Sequence, residues 1–227
     1  MRLFFSVLML TCFRMGTAHS QADSSLLLKQ AEIKLQNHSS TVSSILTDKT
    51  YASLHPLIIF REIIRKYSSA GVLGITANDE PGKKINVIAT VKNKDGQPVP
   101  DALVYLYQTD SRGWYAADAL HVLMNEGDFR HARLFGYLKT DKNGKLELYT
   151  VKPSGYPQSD LPAHIHVQVT AEGYHPYGTE FLFQDDERLK GEILNRAIVA
   201  GGRIAKPEPA ETPFVQKFSY EIKLIRK

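Results

Sequence analysis

Cysteine is the scarcest chemistry in this chain. One occurs in 227 residues, and Cys12 lies in an N-terminal stretch that reads as a leader. Arg2 opens that stretch, Leu3 to Phe13 is almost entirely apolar, and Ala18-His19-Ser20 closes it with small residues, the pattern of a secretory signal peptide over residues 1–20. The apolar run is short for a bilayer span. Thr11 stands before Cys12 where a lipidated leader carries Gly or Ala, which argues against a lipid anchor. A mature chain without cysteine has neither disulfides nor thiolate chemistry, although the leader would send it to a periplasmic or extracellular compartment that permits them. An excess of charge is lacking too. Taking Arg2 and Arg14 from 28 basic side chains leaves 26 against 24 acids, so nothing points to nucleic acid or an anionic membrane as partner. Internal repeats and low-complexity linkers are also missing, and the N-terminal part has no GxGxxG, P-loop or heptad pattern.

What is present divides in two. Residues 21–70 read as a helical arm. Leu28, Ala31 and Leu35 recur at helical spacing, Ser39 to Ser44 interrupts, and Ile58 to Tyr67 is amphipathic. Ile58, Ile59 and Phe60 on that arm would suit a homodimer. Residues 71–227 read as β. Ile85, Val87, Ala89 and Val91 alternate, Lys94-Asp95-Gly96 marks a hairpin turn, and the strand around Val104 is apolar on both faces. Asp141-Lys-Asn143-Gly144 marks a second turn, and Phe218, Tyr220, Ile222 and Leu224 alternate near the end. Residues 186–200 fit one short helix. The expected fold is mainly β, an antiparallel β-sandwich with an N-terminal helical arm.

The chemistry concentrates in Leu161-Pro-Ala-His-Ile-His166. In a strand, residues two apart point the same way, so His164 and His166 share a face with Gln168 while Ile165, Val167 and Val169 share the other. Two such imidazoles are either half of a metal site or a pair of hydrogen-bonded surface histidines. Two flanking elements add aromatic donors. Lys152-Pro-Ser-Gly-Tyr-Pro157 must be an irregular loop and holds Tyr156 between Gly155 and Pro157. Tyr107 to Tyr115 leaves a strand through Gly113 and presents Trp114 and Tyr115.

From Ile85 to Asp186 the chain resembles the intradiol ring-cleavage dioxygenases, the catechol and protocatechuate 3,4-dioxygenase group. The motifs are Asp95-Gly-Gln-Pro-Val-Pro-Asp-Ala-Leu-Val104, Gln108 through Tyr115, Thr140-Asp-Lys-Asn-Gly144, Lys152-Pro-Ser-Gly-Tyr-Pro157 and Pro162-Ala-His-Ile-His166. The resemblance implies a non-haem ferric ion held by Tyr115, Tyr156, His164 and His166, with an aromatic diol and O2 as reactants. It implies that Tyr156 is the ligand that dissociates and Tyr115 the one that stays. Phenolates are hard anionic donors suited to ferric iron, and a free tyrosine, with a pKa of about 10, becomes phenolate at neutral pH only beside a cation.

The chain departs from the family at two positions. The residue before Pro-Ala-His-Ile-His is usually arginine and here is Leu161; a glutamine on the next strand is here Glu180. Both changes make the pocket less positive. Arg112, Arg130 or Arg133 could supply a cation from elsewhere, and each reads equally well as a surface arginine. Trp114 either walls the substrate cavity or is a buried aromatic. His121, His131 and His175 match no ligand position, and Tyr105, Tyr107, Tyr137 and Tyr149 read as cross-strand packing. The leading expectation is an exported iron-dependent enzyme that opens a catechol-type ring to a muconate-type dicarboxylic acid. Its rivals are a secreted non-catalytic β-sandwich binding module and an iron-binding but inactive relative.

Overall fold

The computed structural model describes residues 12–116 and 132–227. Residues 1–11 of the expected leader lie outside it, as do His121, Arg130 and His131. Among the described residues no helix is long and apolar enough to cross a membrane.

The arm contains α1 (Cys12–Gln36), α2 (Val42–Thr47), a 3₁₀ turn over Lys49–Leu54 and α3 (Ile58–Lys66). Thr41 caps α2 by accepting the Ser44 amide, and Asp48 caps the 3₁₀ turn by accepting that of Thr50. Ala31 and Leu35 are buried at helical spacing, as their periodicity predicts. Of the three apolar residues that suggested a dimer face, Phe60 is wholly buried, while Ile58 and Ile59 are exposed.

Among the described residues ten strands form two five-stranded sheets. The first runs β1 (Val72–Gly74), β5 (Lys145–Val151), β2 (Lys84–Asn93), β10 (Gln216–Leu224), β9 (Glu208–Pro209). The second runs β4 (Leu134–Lys139), β3 (Leu103–Gln108), β6 (His164–Thr170), β7 (Tyr177–Phe183), β8 (Arg203–Ala205). Ile85, Val87, Ala89 and Val91 of β2 and Phe218, Ile222 and Leu224 of β10 face the other sheet's Val104, Leu106, Ile165, Val167 and Val169 in one core.

The sandwich is mixed rather than purely antiparallel. β3 pairs antiparallel with β4 and β6, β6 with β7, and β2 with β5, but β1–β5, β2–β10 and β7–β8 are parallel. The chain reaches β10 through α4 (Gly191–Val199), β8 and β9, and such a crossover lets a late strand join an early one in parallel. The two glycine turns form, with Gly96 at φ +81 and Gly144 at φ +70; the first closes a short hairpin in which Pro98 bridges antiparallel to Lys92 of β2. Each passes the chain from one sheet to the other.

The outer face of the second sheet carries the chemistry. Directly opposed residues share a face, so Phe135, Tyr107, His166 and Glu180 form a row across β4, β3, β6 and β7. α3 covers one side of this face. The Arg61 guanidinium is buried, donates to the Tyr105 hydroxyl and lies 4.9 Å from the Phe135 ring centre. β3 is therefore apolar on both sides because both sides are covered.

Candidate metal centre

Two loops bring tyrosines to the histidine strand, and short backbone contacts lace them together. Thr109 donates its hydroxyl proton to Ser154 O at 2.7 Å, and the Ser154 amide donates to Asp110 O at 3.1 Å. The buried Asp110 side chain accepts the amides of Arg112 and Trp114 and so shapes the turn into Tyr115. Gly113 has φ +86, and a Cβ there would collide with Gly155 O. The glycines preceding Tyr115 and Tyr156 thus lie directly against each other.

The side-chain atoms then close a ring. Tyr115 Oη lies 2.6 Å from Tyr156 Oη and 3.0 Å from His166 Nε2; Tyr156 Oη lies 3.4 Å from His164 Nε2; the two Nε2 atoms are 3.1 Å apart. His164 Nδ1 is 2.8 Å from Pro162 O, which can only accept, so the proton sits on Nδ1 and Nε2 keeps its lone pair. His166 Nδ1 faces the Glu180 carboxylate at 3.4 Å, whose charge favours the same tautomer. Two lone pairs thus face each other at 3.1 Å. The ring has four contacts and only two phenolic hydrogens to fill them. A cation at its centre satisfies all four donors, and first-row metal–donor bonds of about 2.0–2.2 Å put neighbouring donors roughly 3 Å apart. The donor set therefore fits a transition metal. Burial, and then the adjacent Tyr156, hold the Tyr115 phenol well above its ordinary pKa, so it becomes phenolate near neutral pH only beside a cation.

A family model described as "Dioxygenase" matches residues 66–225. The chain belongs to the intradiol ring-cleavage dioxygenases. It is 24% identical over 131 residues to chlorocatechol 1,2-dioxygenase from Rhodococcus opacus, covering 50% of this chain and 49% of that one. It is 30% identical over 133 residues to catechol 1,2-dioxygenase 1 from Acinetobacter lwoffii, covering 51% and 41%. The chain thus spans about half the length of these curated relatives. Among solved structures, 3-chlorocatechol 1,2-dioxygenase from Rhodococcus opacus superposes with a TM-score of 0.53 at 21% identity, over 70% of this chain and 65% of that one, a likeness of fold.

In this intradiol dioxygenase family member the residues singled out as substrate contacts separate. Glu180 lines a cavity of about 330 Å³ with Tyr107, His166, Gln168, Thr179 and Gly202. Trp114 and Leu161 do not line it. Trp114 is half-buried beneath the Arg112 guanidinium at 4.5 Å, and the Leu161 side chain is 44% exposed. Arg112 and Arg133 are held in ion pairs, by Asp110 and, in a bidentate pair, by Glu80. His175 sits in the β6–β7 hairpin, at the opposite end of β6 from His164, so its nearness in sequence does not bring it to the site.

One ligand atom each from His164, His166 and Glu180 also falls within 4.8 Å of the others. The Glu180 carboxylate faces Nδ1 of His166 while Tyr115 faces Nε2, so Glu180 stands behind the imidazole and orients it. Tyr107, expected to pack across strands, does so, and its partner is the proposed ligand His166, on which its ring stacks at 4.4 Å and 18°. Alternation places Tyr107 on the outer face of its strand; only the β3–β6 register sets it opposite His166.

Proposed function

We propose that this protein is an exported, non-haem ferric intradiol dioxygenase that opens a catechol-type diol with O2 to a muconate-type dicarboxylic acid. The convergence of Tyr115 Oη, Tyr156 Oη and the Nε2 atoms of His164 and His166 carries the reading. A ferric ion held there would supply Lewis acidity and activate a bound catecholate towards O2. The protein's own groups do the rest. Pro162 O and Glu180 fix both imidazoles with Nε2 inward. Tyr115 is buried at 6% exposure, which supports giving it the role of the donor that stays. Tyr156 is half-buried on an irregular loop, which supports giving it the task of taking a proton from an incoming diol hydroxyl. The leader pattern over residues 1–20 supports export.

Iron loading tests this directly. Metal-free protein given ferric iron should develop a visible tyrosinate-to-iron absorption and consume O2 with catechol; a strong chelator should remove both. A colourless, metal-free product after loading would overturn the reading and favour a non-catalytic module. Colour without O2 uptake across a panel of catechols would leave a metal protein that is not this enzyme.

Glu180 bears on the substrate. Its carboxylate, 3.4 Å from His166 Nδ1, lowers the positive potential beside the proposed metal site and so disfavours anionic diols such as protocatechuate, which makes neutral catechols the expected class. Glu180→Gln should raise kcat/KM for protocatechuate relative to catechol by roughly tenfold, the order of one partly screened charge contact. An unchanged ratio would remove Glu180 from specificity.

A further inference from the structure

The loop from Tyr156 to His164 carries two of the four proposed donors, and its middle is held internally by long bonds. The Ser159 amide donates to Tyr156 O at 3.2 Å, and the Leu161 amide to the Ser159 hydroxyl at 3.1 Å. The segment leading out of β7 holds the loop from outside. Arg188 Nη1 donates to Tyr156 O at 3.1 Å and to Leu161 O at 3.2 Å. Asp186 Oδ2 accepts the Ala163 amide at 2.8 Å, while its Oδ1 accepts the Arg188 amide at 2.8 Å. One carboxylate and one guanidinium, two residues apart, therefore grip the backbone at Tyr156, Leu161 and Ala163. Gly155 completes the fit, because a Cβ there would meet both Leu161 O and the Arg188 guanidinium.

We infer that Asp186 and Arg188 form a clamp that sets the position of Tyr156 and His164, and that Arg188 is a positioning residue for the metal centre. The inference rests on the proposed metal site. The reason is geometric. Tyr156 has no strand neighbours to fix its backbone, and His164 is the first residue of β6. Without the clamp, the 3.4 Å approach of Tyr156 Oη to His164 Nε2 depends on a loop free to drift outward. A guanidinium can bond two carbonyls at once from a planar fork, whereas an ammonium binds as a point charge. The carbonyls at Tyr156 and Leu161 are acceptors that an apolar side chain at 188 would leave without this donor.

The test uses the full-length protein and three variants: Arg188→Leu, Arg188→Lys and Asp186→Asn. Three quantities are read: ferric affinity by competition with a chelator, the position of the visible absorption, and amide hydrogen exchange across residues 156–163 in the metal-free protein. Arg188→Leu should weaken ferric affinity about 10–100-fold, the usual effect of losing a group behind a ligand, and shift the absorption. Exchange in the loop should rise without a matching loss of melting temperature. Arg188→Lys should fall between wild type and Arg188→Leu, and Asp186→Asn should weaken affinity in the same direction. Wild-type affinity, absorption and loop exchange in Arg188→Leu would overturn the clamp, as would a lower melting temperature with affinity unchanged. Faster loop exchange in a variant of a protein that itself takes up no iron would uphold the clamp and sink the metal reading. Iron bound equally by wild type and Arg188→Leu would do the reverse.

Discussion

Tyr115→Phe should fold normally and lose at least 10²–10³ in turnover. The change deletes one hydroxyl from a ring that stays buried, so the metal-free variant should keep its stability to within about 1 kcal/mol. That hydroxyl touches both Tyr156 Oη and His166 Nε2, and removing it takes away one of two anionic donors. Loss of one preorganised electrostatic group costs about 10²–10³ in rate, and loss of a direct ligand should exceed that. The visible absorption of the iron-loaded protein should weaken and shift, because only Tyr156 remains to generate it. Alkaline unfolding gives a second readout. Burial raises the Tyr115 pKa in the folded protein, so its contribution is full below the unfolded value of about 10 and is lost as pH climbs beyond it. Metal-free Tyr115→Phe should therefore lose less stability above about pH 10 than metal-free wild type. Wild-type colour and turnover in the variant would remove Tyr115 from the ligand set.

Gly155→Ala should be the most damaging single-methyl change in the molecule's chemistry. A Cβ at that position overlaps Leu161 O, a backbone atom that cannot rotate away, and the Arg188 guanidinium. The loop must move, and the next residue is Tyr156. Overpacking of this kind costs about 1–3 kcal/mol, visible as a lower urea midpoint. The functional loss should be larger than the stability loss, because a shift of about 1 Å in a reacting constellation costs on the order of 10² in rate. Gly113→Ala should act similarly from the other loop, with the added strain of φ +86. Should Gly155→Ala lower the urea midpoint yet bind iron and turn over like wild type, the glycine contact would serve the fold alone.

Alternation made much of this architecture readable from the chain. Ile85 to Val91 and Phe218 to Leu224 bury every second residue as predicted, and His164 and His166 share the outer face. The motifs named the four side chains whose atoms meet. Periodicity is silent on partners, however. It marks Gly96 and Gly144 as turns but cannot show that the chain changes sheets at each. Tyr107 was legible as cross-strand packing, but that its partner is His166 depends on register. Arg188 lies 32 residues from Tyr156, and no local pattern connects a guanidinium to a distant carbonyl. Arg112 and Arg133, credible as free cations in the sequence, turn out to be held by Asp110 and Glu80.

The parallel pairing of β10 with β2 over nine residues also has a consequence in time. β2 sits mid-sheet, yet one of its two neighbours is made about 130 residues later, so a nascent chain carries an open edge through most of its synthesis. The core cannot close vectorially from the N-terminus; it closes in one late event, when residues 216–224 dock. A ribosome-stalled or truncated product lacking them would present residues 85–93 as a bare template for another chain.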